Sequence, residues 1–180
     1  MRTGAGLPVS RSGWALAAVA GALAAATLVV RGADADGICW AAVQVVLVAL
    51  AAEDLRSRRI PNAVTAPAAV AAVALRVALE RSELVEILVA GAGAFAVFLV
   101  LALVTRGGLG MGDVKLAGLL GLLLGTAVVT ALFLGTLAGG VASVVLLARG
   151  RKRGTTLAYG PYLCFGGAVA VLLLHLPRLA

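Results

Sequence analysis

The feature that most constrains this chain is the length of its apolar runs. Along the 180 residues, stretches nearly free of charge cover roughly 13–30, 38–53, 62–79, 84–104, 113–125, 126–148 and 157–176. Most approach the ~20 residues that cross ~30 Å of hydrocarbon. Within hydrocarbon a backbone must satisfy its own hydrogen bonds, so long unbroken runs mean helices rather than the alternating strands of a barrel. The expectation is an all-α fold, a polytopic transmembrane helical bundle of six or seven spans. The fifth run is short and reads as a half-helix or re-entrant element, a form tolerated where protein surrounds it. With 62% apolar residues and only short polar loops, no soluble domain is expected.

The first run, which follows MRTGAGLPVSRSG, also has the outline of a signal peptide. Its length and the membrane-embedded remainder favour a retained span. The expected organisation is an N-terminal span and external loop over 1–37, then a membrane domain over 38–180.

A net charge of +7 could suggest nucleic acid as a partner, but the basic residues sit in short loops between spans. That placement is the positive-inside bias, so the partner it implies is the lipid bilayer and nucleic acid is excluded. If RSRR (56–59) is cytoplasmic, alternation puts Arg2, Arg11, Arg106 and RGRKRG (149–154) on the same face. RGADADG (31–37) and ERSELVE (80–86) then fall outside, with Asp34, Asp36, Glu80, Glu83 and Glu86. Cys39 and Cys164 form no CxxC pair, provide no metal framework and are expected near different faces, which argues against a disulfide.

Two carboxylates stay on the basic face together with Glu53: Asp54 and Asp113. Asp54 alone reads as a juxtamembrane charge beside arginines. Asp113 alone reads as a helix N-cap after a stretch with four glycines in seven residues, 107–113. Lys115, two positions on, is expected to point away from Asp113 and snorkel to headgroups. Taken together, two carboxylates at the ends of different spans on one face suit an aspartyl hydrolase. One takes a proton from a shared water while the other, protonated, polarises the scissile carbonyl. Like charges held close do not both ionise easily, which keeps one proton between them. The glycines let backbone come close to a substrate strand.

DLRSRRIPN (54–62) and GMGDVK (110–115) resemble the two signature segments of the type IV prepilin peptidases, membrane aspartic proteases of the GxGD type. AYGPYLCFGG (158–167) is similar to that family's aromatic-Gly-Pro-aromatic segment, so the resemblance runs from about residue 40 onward. It implies that Asp54 and Asp113 are the catalytic pair and Gly110 and Gly112 the motif glycines, and it brings Lys115, Pro61, Asn62, Gly160 and Pro161 in as supporting motif positions. It further implies cleavage of a short basic leader from a prepilin or pseudopilin precursor at the cytoplasmic side of the inner membrane. No cofactor and no metal is required. Longer members of the family add a domain with paired CxxC motifs and methylate the new N-terminus. This chain has neither feature, so the expected activity is peptidase without methyl transfer, and S-adenosylmethionine should not bind.

Two other readings compete. Intramembrane acids also mark ion paths, as in a small proton-coupled carrier, but here they sit at one face and no inverted repeat is visible. A catalytically silent pilus-assembly homologue would carry the same motifs. Among smaller features, Pro61 fits a helix start and Asn62 fits a cap or a substrate contact. Pro67 would bend the third span. Gln44 reads as an interhelical hydrogen bond, and His175, Trp14 and Trp40 as interfacial. Gly121…Gly125 and Gly135…Gly139 read as helix-packing pairs.

Overall fold

A computed structural model describes residues 11–57, 62–79, 84–105, 109–150 and 159–173. These residues form seven α-helices: α1 (Arg11–Arg31), α2 (Ala35–Ser57), α3 (Asn62–Leu79), α4 (Leu84–Val104), α5 (Met111–Leu124), α6 (Val128–Ala148) and α7 (Gly160–Leu173). A single 3-10 turn, Gly125–Ala127, joins α5 to α6. Three helical runs are long and apolar enough to cross a membrane: Ala35–Ser57, Leu84–Val104 and Met111–Ala148, the last being α5 and α6 with their turn. α1, α3 and α7 supply shorter apolar stretches. The chain is an all-α membrane bundle.

The helices alternate in direction, so each end of the bundle gathers a fixed set of termini. At one end the last turn of α2 meets the first residue of α7, where Gly160 N–H donates to Asp54. At the same end the start of α5 meets the start of α3 through Lys115 and Asn62. At the other end Arg31 pairs with Asp36 across the α1–α2 turn. Glu86 of α4 there accepts from the backbone N–H and hydroxyl of Thr126 in the α5–α6 turn. Of the acids assigned to an external loop, Glu86 thus has a structural task, pinning a turn.

The fifth element is short, as expected. Its 14 residues extend about 21 Å at 1.5 Å per residue, less than a bilayer core. It is also the most enclosed helix, with Val114, Leu116, Ala117 and Leu120 fully buried among α3, α4, α6 and α7. A helix too short to span is tolerated because protein, not lipid, surrounds it.

Glycine allows the close approaches. A Cβ on Gly121 would stand 2.5 Å from Gly91 Cα and 2.6 Å from the Ala90 carbonyl oxygen, so α5 lies directly on the α4 backbone. A Cβ on Gly166 would collide with the Ala131 carbonyl, bringing α7 equally close to α6. Gly135 and Gly139 belong to this second seam, Gly135 against Leu163 and Gly139 against the Tyr159 ring. Gly125 departs from the expected packing role. With φ +58 it ends α5 and starts the reversal into α6, a left-handed conformation that glycine adopts without Cβ strain.

The outward faces of α4 and α6 expose Val97, Leu101, Val129, Phe133, Val141 and Val144. Such a surface suits lipid tails, which are as apolar as these side chains. Deep in the bundle Gln44 donates to Thr27 Oγ1 at 3.3 Å and to the Ala168 carbonyl at 3.1 Å. This is the interhelical polar tie expected of it, and it joins α1, α2 and α7. Trp40 sits at the α1–α2 end, its indole N–H on Asp36 and the Arg31 guanidinium 4.2 Å from its ring centroid. Pro61, His175, most of RGRKRG and the Trp14 side chain lie outside the described residues.

Candidate active site

The two aspartates are brought together by the ends of α2, α5 and α7. Asp54 is one turn from the end of α2 and only 6% exposed; Asp113 is in the first turn of α5 and 8% exposed. Charged side chains are rarely this buried. Glu53, next to Asp54, is half-buried, since neighbours on a helix point about 100° apart.

Asp54 Oδ2 accepts the Gly160 N–H at 3.1 Å. Gly160 is the first residue of α7, so a carboxylate from α2 takes up one of the orphan N–H groups at the α7 N-terminus, where the helix dipole is positive. This position demands glycine: a Cβ there would lie 2.6 Å from Asp54 Oδ2. Pro161, the second residue of α7, lacks an N–H where none is needed. Gly160 and Pro161 are therefore the fittings that let a foreign carboxylate close this helix. The expected pairing of Asp54 with arginine gives way, among the described residues, to this backbone bond.

Asp113 is not the N-cap of its helix. Gly110 holds that position with extended backbone (φ -74, ψ 145), and Asp113 is the third helical residue. Its backbone N–H bonds the Gly110 carbonyl at 3.0 Å, and its carboxylate lies over Gly110, Oδ2 3.3 Å from where a Cβ on that residue would stand. An acid at the third position is placed as in a capping box, on the side of the cap residue. Gly112 is the second residue of α5 and half-buried between them.

Asp54 and Asp113 lie within electrostatic reach of each other, and both act on the buried Cys164 thiol of α7. Tyr159, against Gly139, borders the Asp54 side. Cys164 and Tyr159 carried no functional signal in the sequence beyond lying in the AYGPYLCFGG segment. Cys39 and Cys164 are both free, Cys39 near the start of α2 and Cys164 beside the carboxylates. Among the described residues no three metal-ligating side chains gather.

Lys115 corrects the expectation of a side chain reaching for headgroups. Its Nζ donates to Asn62 Oδ1 at 2.8 Å, tying the first turn of α5 to the first residue of α3. Asn62 Oδ1 is thus engaged by a lysine of another helix.

Two buried carboxylates from separate helices thus stand at one end of an all-α membrane bundle. The family-model comparison gives the particular family: the model of the type IV leader peptidase family matches residues 41–144, more than half of the chain, and the chain belongs to that family. The matched region contains Asp54, Asn62, Gly110, Gly112, Asp113 and Lys115, and ends before Gly160. No curated protein and no solved structure matched the chain. At the level of the family, the protein is a leader peptidase in a membrane, with prepilin-type substrates.

Proposed function

We propose that this chain removes the short basic leader of a type IV prepilin-like subunit at the cytoplasmic face of the inner membrane, with Asp54 and Asp113 as the catalytic pair. The observation that carries this reading is the burial of both carboxylates at one end of the bundle, within electrostatic reach of each other and inside the region matched by the family. One carboxylate takes a proton from a water held between the pair as the water oxygen attacks the scissile carbonyl. The other, protonated, gives its proton to the carbonyl oxygen. Collapse of the gem-diol intermediate breaks the C–N bond: the departing amine takes up the proton first removed from water, and one hydroxyl returns its proton to the second carboxylate, which restores the pair. Substrate geometry supports the same face, because a leader preceding a hydrophobic helix meets the enzyme where its own helices end. The chain has no CxxC pair, and the activity proposed is peptidase without methyl transfer.

Co-expression with a prepilin precursor from the same genome tests this. Wild type is expected to convert precursor to mature subunit, while Asp54→Asn and Asp113→Asn each abolish conversion and still insert at normal levels. Conversion by both variants at the wild-type rate would return the two aspartates to ordinary structural roles.

A further inference from the structure

The bond between Lys115 and Asn62 sits at a junction that the proposed chemistry does not use. Lys115 lies two residues after Asp113 in the first turn of α5. Asn62 opens α3, and only the four residues 58–61 separate it from Ser57 at the end of α2, one turn beyond Asp54. Five Cα–Cα steps reach at most about 18 Å, so Asn62 is held on a short tether to the Asp54 turn. The 2.8 Å bond from Lys115 Nζ then closes a ring: Asp54, the α2 end, the 58–61 connector, Asn62, Lys115, Asp113.

Asp54 is held by the start of α7, and the Asp113 backbone by the Gly110 carbonyl. α5 is tightly seated on α4 through Gly91 and Gly121, whereas α2 lies against α7 and α1. The two carboxylates thus ride on different helices of one shared core, where Leu120 of α5 and Leu47 of α2 both meet Gly167 of α7. A charge-assisted bond between side chains 53 positions apart can restrain their separation.

We propose that Lys115 and Asn62 are positioning residues, a latch that sets the spacing of Asp54 and Asp113, and that Lys115 does not serve as a headgroup or substrate contact. The proposal rests on the aspartate-pair reading of the site, yet its first test needs no catalysis. Nitroxides at Arg56→Cys and Met111→Cys, with Cys39→Ser and Cys164→Ala, report the distance between the α2 end and the α5 start by pulsed electron resonance. Asn62→Ala and Lys115→Ala are each expected to lengthen or broaden that distribution, and Asn62→Asp, which keeps an acceptor for the ammonium, to preserve it. Unchanged distributions in both alanine variants would overturn the latch.

Kinetics on a purified prepilin precursor in detergent give the second test. Asn62→Ala and Lys115→Ala should each lower kcat about tenfold with KM unchanged, since misplaced groups cost rate more than binding. The double variant should be no slower than either single one, and Asn62→Asp should restore wild-type kcat. A raised KM in Lys115→Ala beside a silent Asn62→Ala would mean that the lysine touches the substrate, and the latch would be wrong. Asp54→Asn and Asp113→Asn run in parallel: if they cleave normally, the aspartate pair itself has failed, a result separate from any loss of the latch.

Discussion

At the scale of single residues, the site depends on one missing methyl group. Gly160→Ala places a carbon 2.6 Å from Asp54 Oδ2, and either the carboxylate or the start of α7 must move. Cleavage is expected to fall by at least about tenfold, the cost of a displaced catalytic group, with membrane insertion intact. The precursor-to-mature ratio in a co-expression gel reads this directly. The candidate residues stood out in the sequence, because DLRSRRIPN, GMGDVK and AYGPYLCFGG are compact motifs. What they do to one another was not. The bond from Gly160 to Asp54 spans 106 positions and that from Lys115 to Asn62 spans 53, and periodicity along one helix says nothing about a partner on another. For the same reason Asp113 resembled an N-cap: a cap and a third-position acid differ by less than one turn, and the glycines before it allow either.

At the scale of helices, seam glycines and open-face glycines make opposite predictions for similar substitutions. Gly121→Ala forces a Cβ into the α4 backbone and Gly166→Ala forces one into the Ala131 carbonyl. Each should cost about 1–3 kcal/mol, the usual penalty for overpacking. Gly93→Ala and Gly140→Ala, where an added Cβ meets nothing within 4 Å, should shift stability by no more than about 1 kcal/mol, and toward greater stability, as helix propensity dictates. Thermal unfolding in detergent separates the pairs, and equal losses at all four positions would contradict the seams. The shortness of α5 could be read from the sequence, since Asp113 and the α5–α6 turn bracket it. The function of Gly125 could not. Gly121…Gly125 has the four-residue spacing of a packing pair, and the same spacing results when a seam glycine is followed by a turn glycine.

At the scale of the whole molecule, the alternation of helix direction puts the ends of α2 and α6 together and the α1–α2 turn opposite. A variant lacking Cys39 and Cys164 with single cysteines at Arg56, Arg149 or Ala33 exposes this topology. An impermeant maleimide added to intact cells should label Ala33→Cys and leave Arg56→Cys and Arg149→Cys unlabelled until the membrane is opened. The opposite pattern would place the aspartates outside and remove the leader-cutting reading with them. The composition and the length of the apolar runs make the bundle legible. The assortment of helices, α4 with α5, α6 with α7, and α2 with α1 and α7, is not, because every span is apolar nearly all round and offers no preferred stripe from which to read its neighbours.

The carboxylate of Asp54 belongs to two economies at once: it closes the end of α7 and, in the proposed reaction, it handles protons. Inactive variants at this position are therefore not interchangeable. Asparagine retains an oxygen for the Gly160 amide and should give a silent enzyme with an undisturbed scaffold, fit for trapping a bound precursor. Alanine also strips the helix of its stopper, at a cost of about 1 kcal/mol, so a substrate captured on it would be seated in a site whose wall has begun to fray.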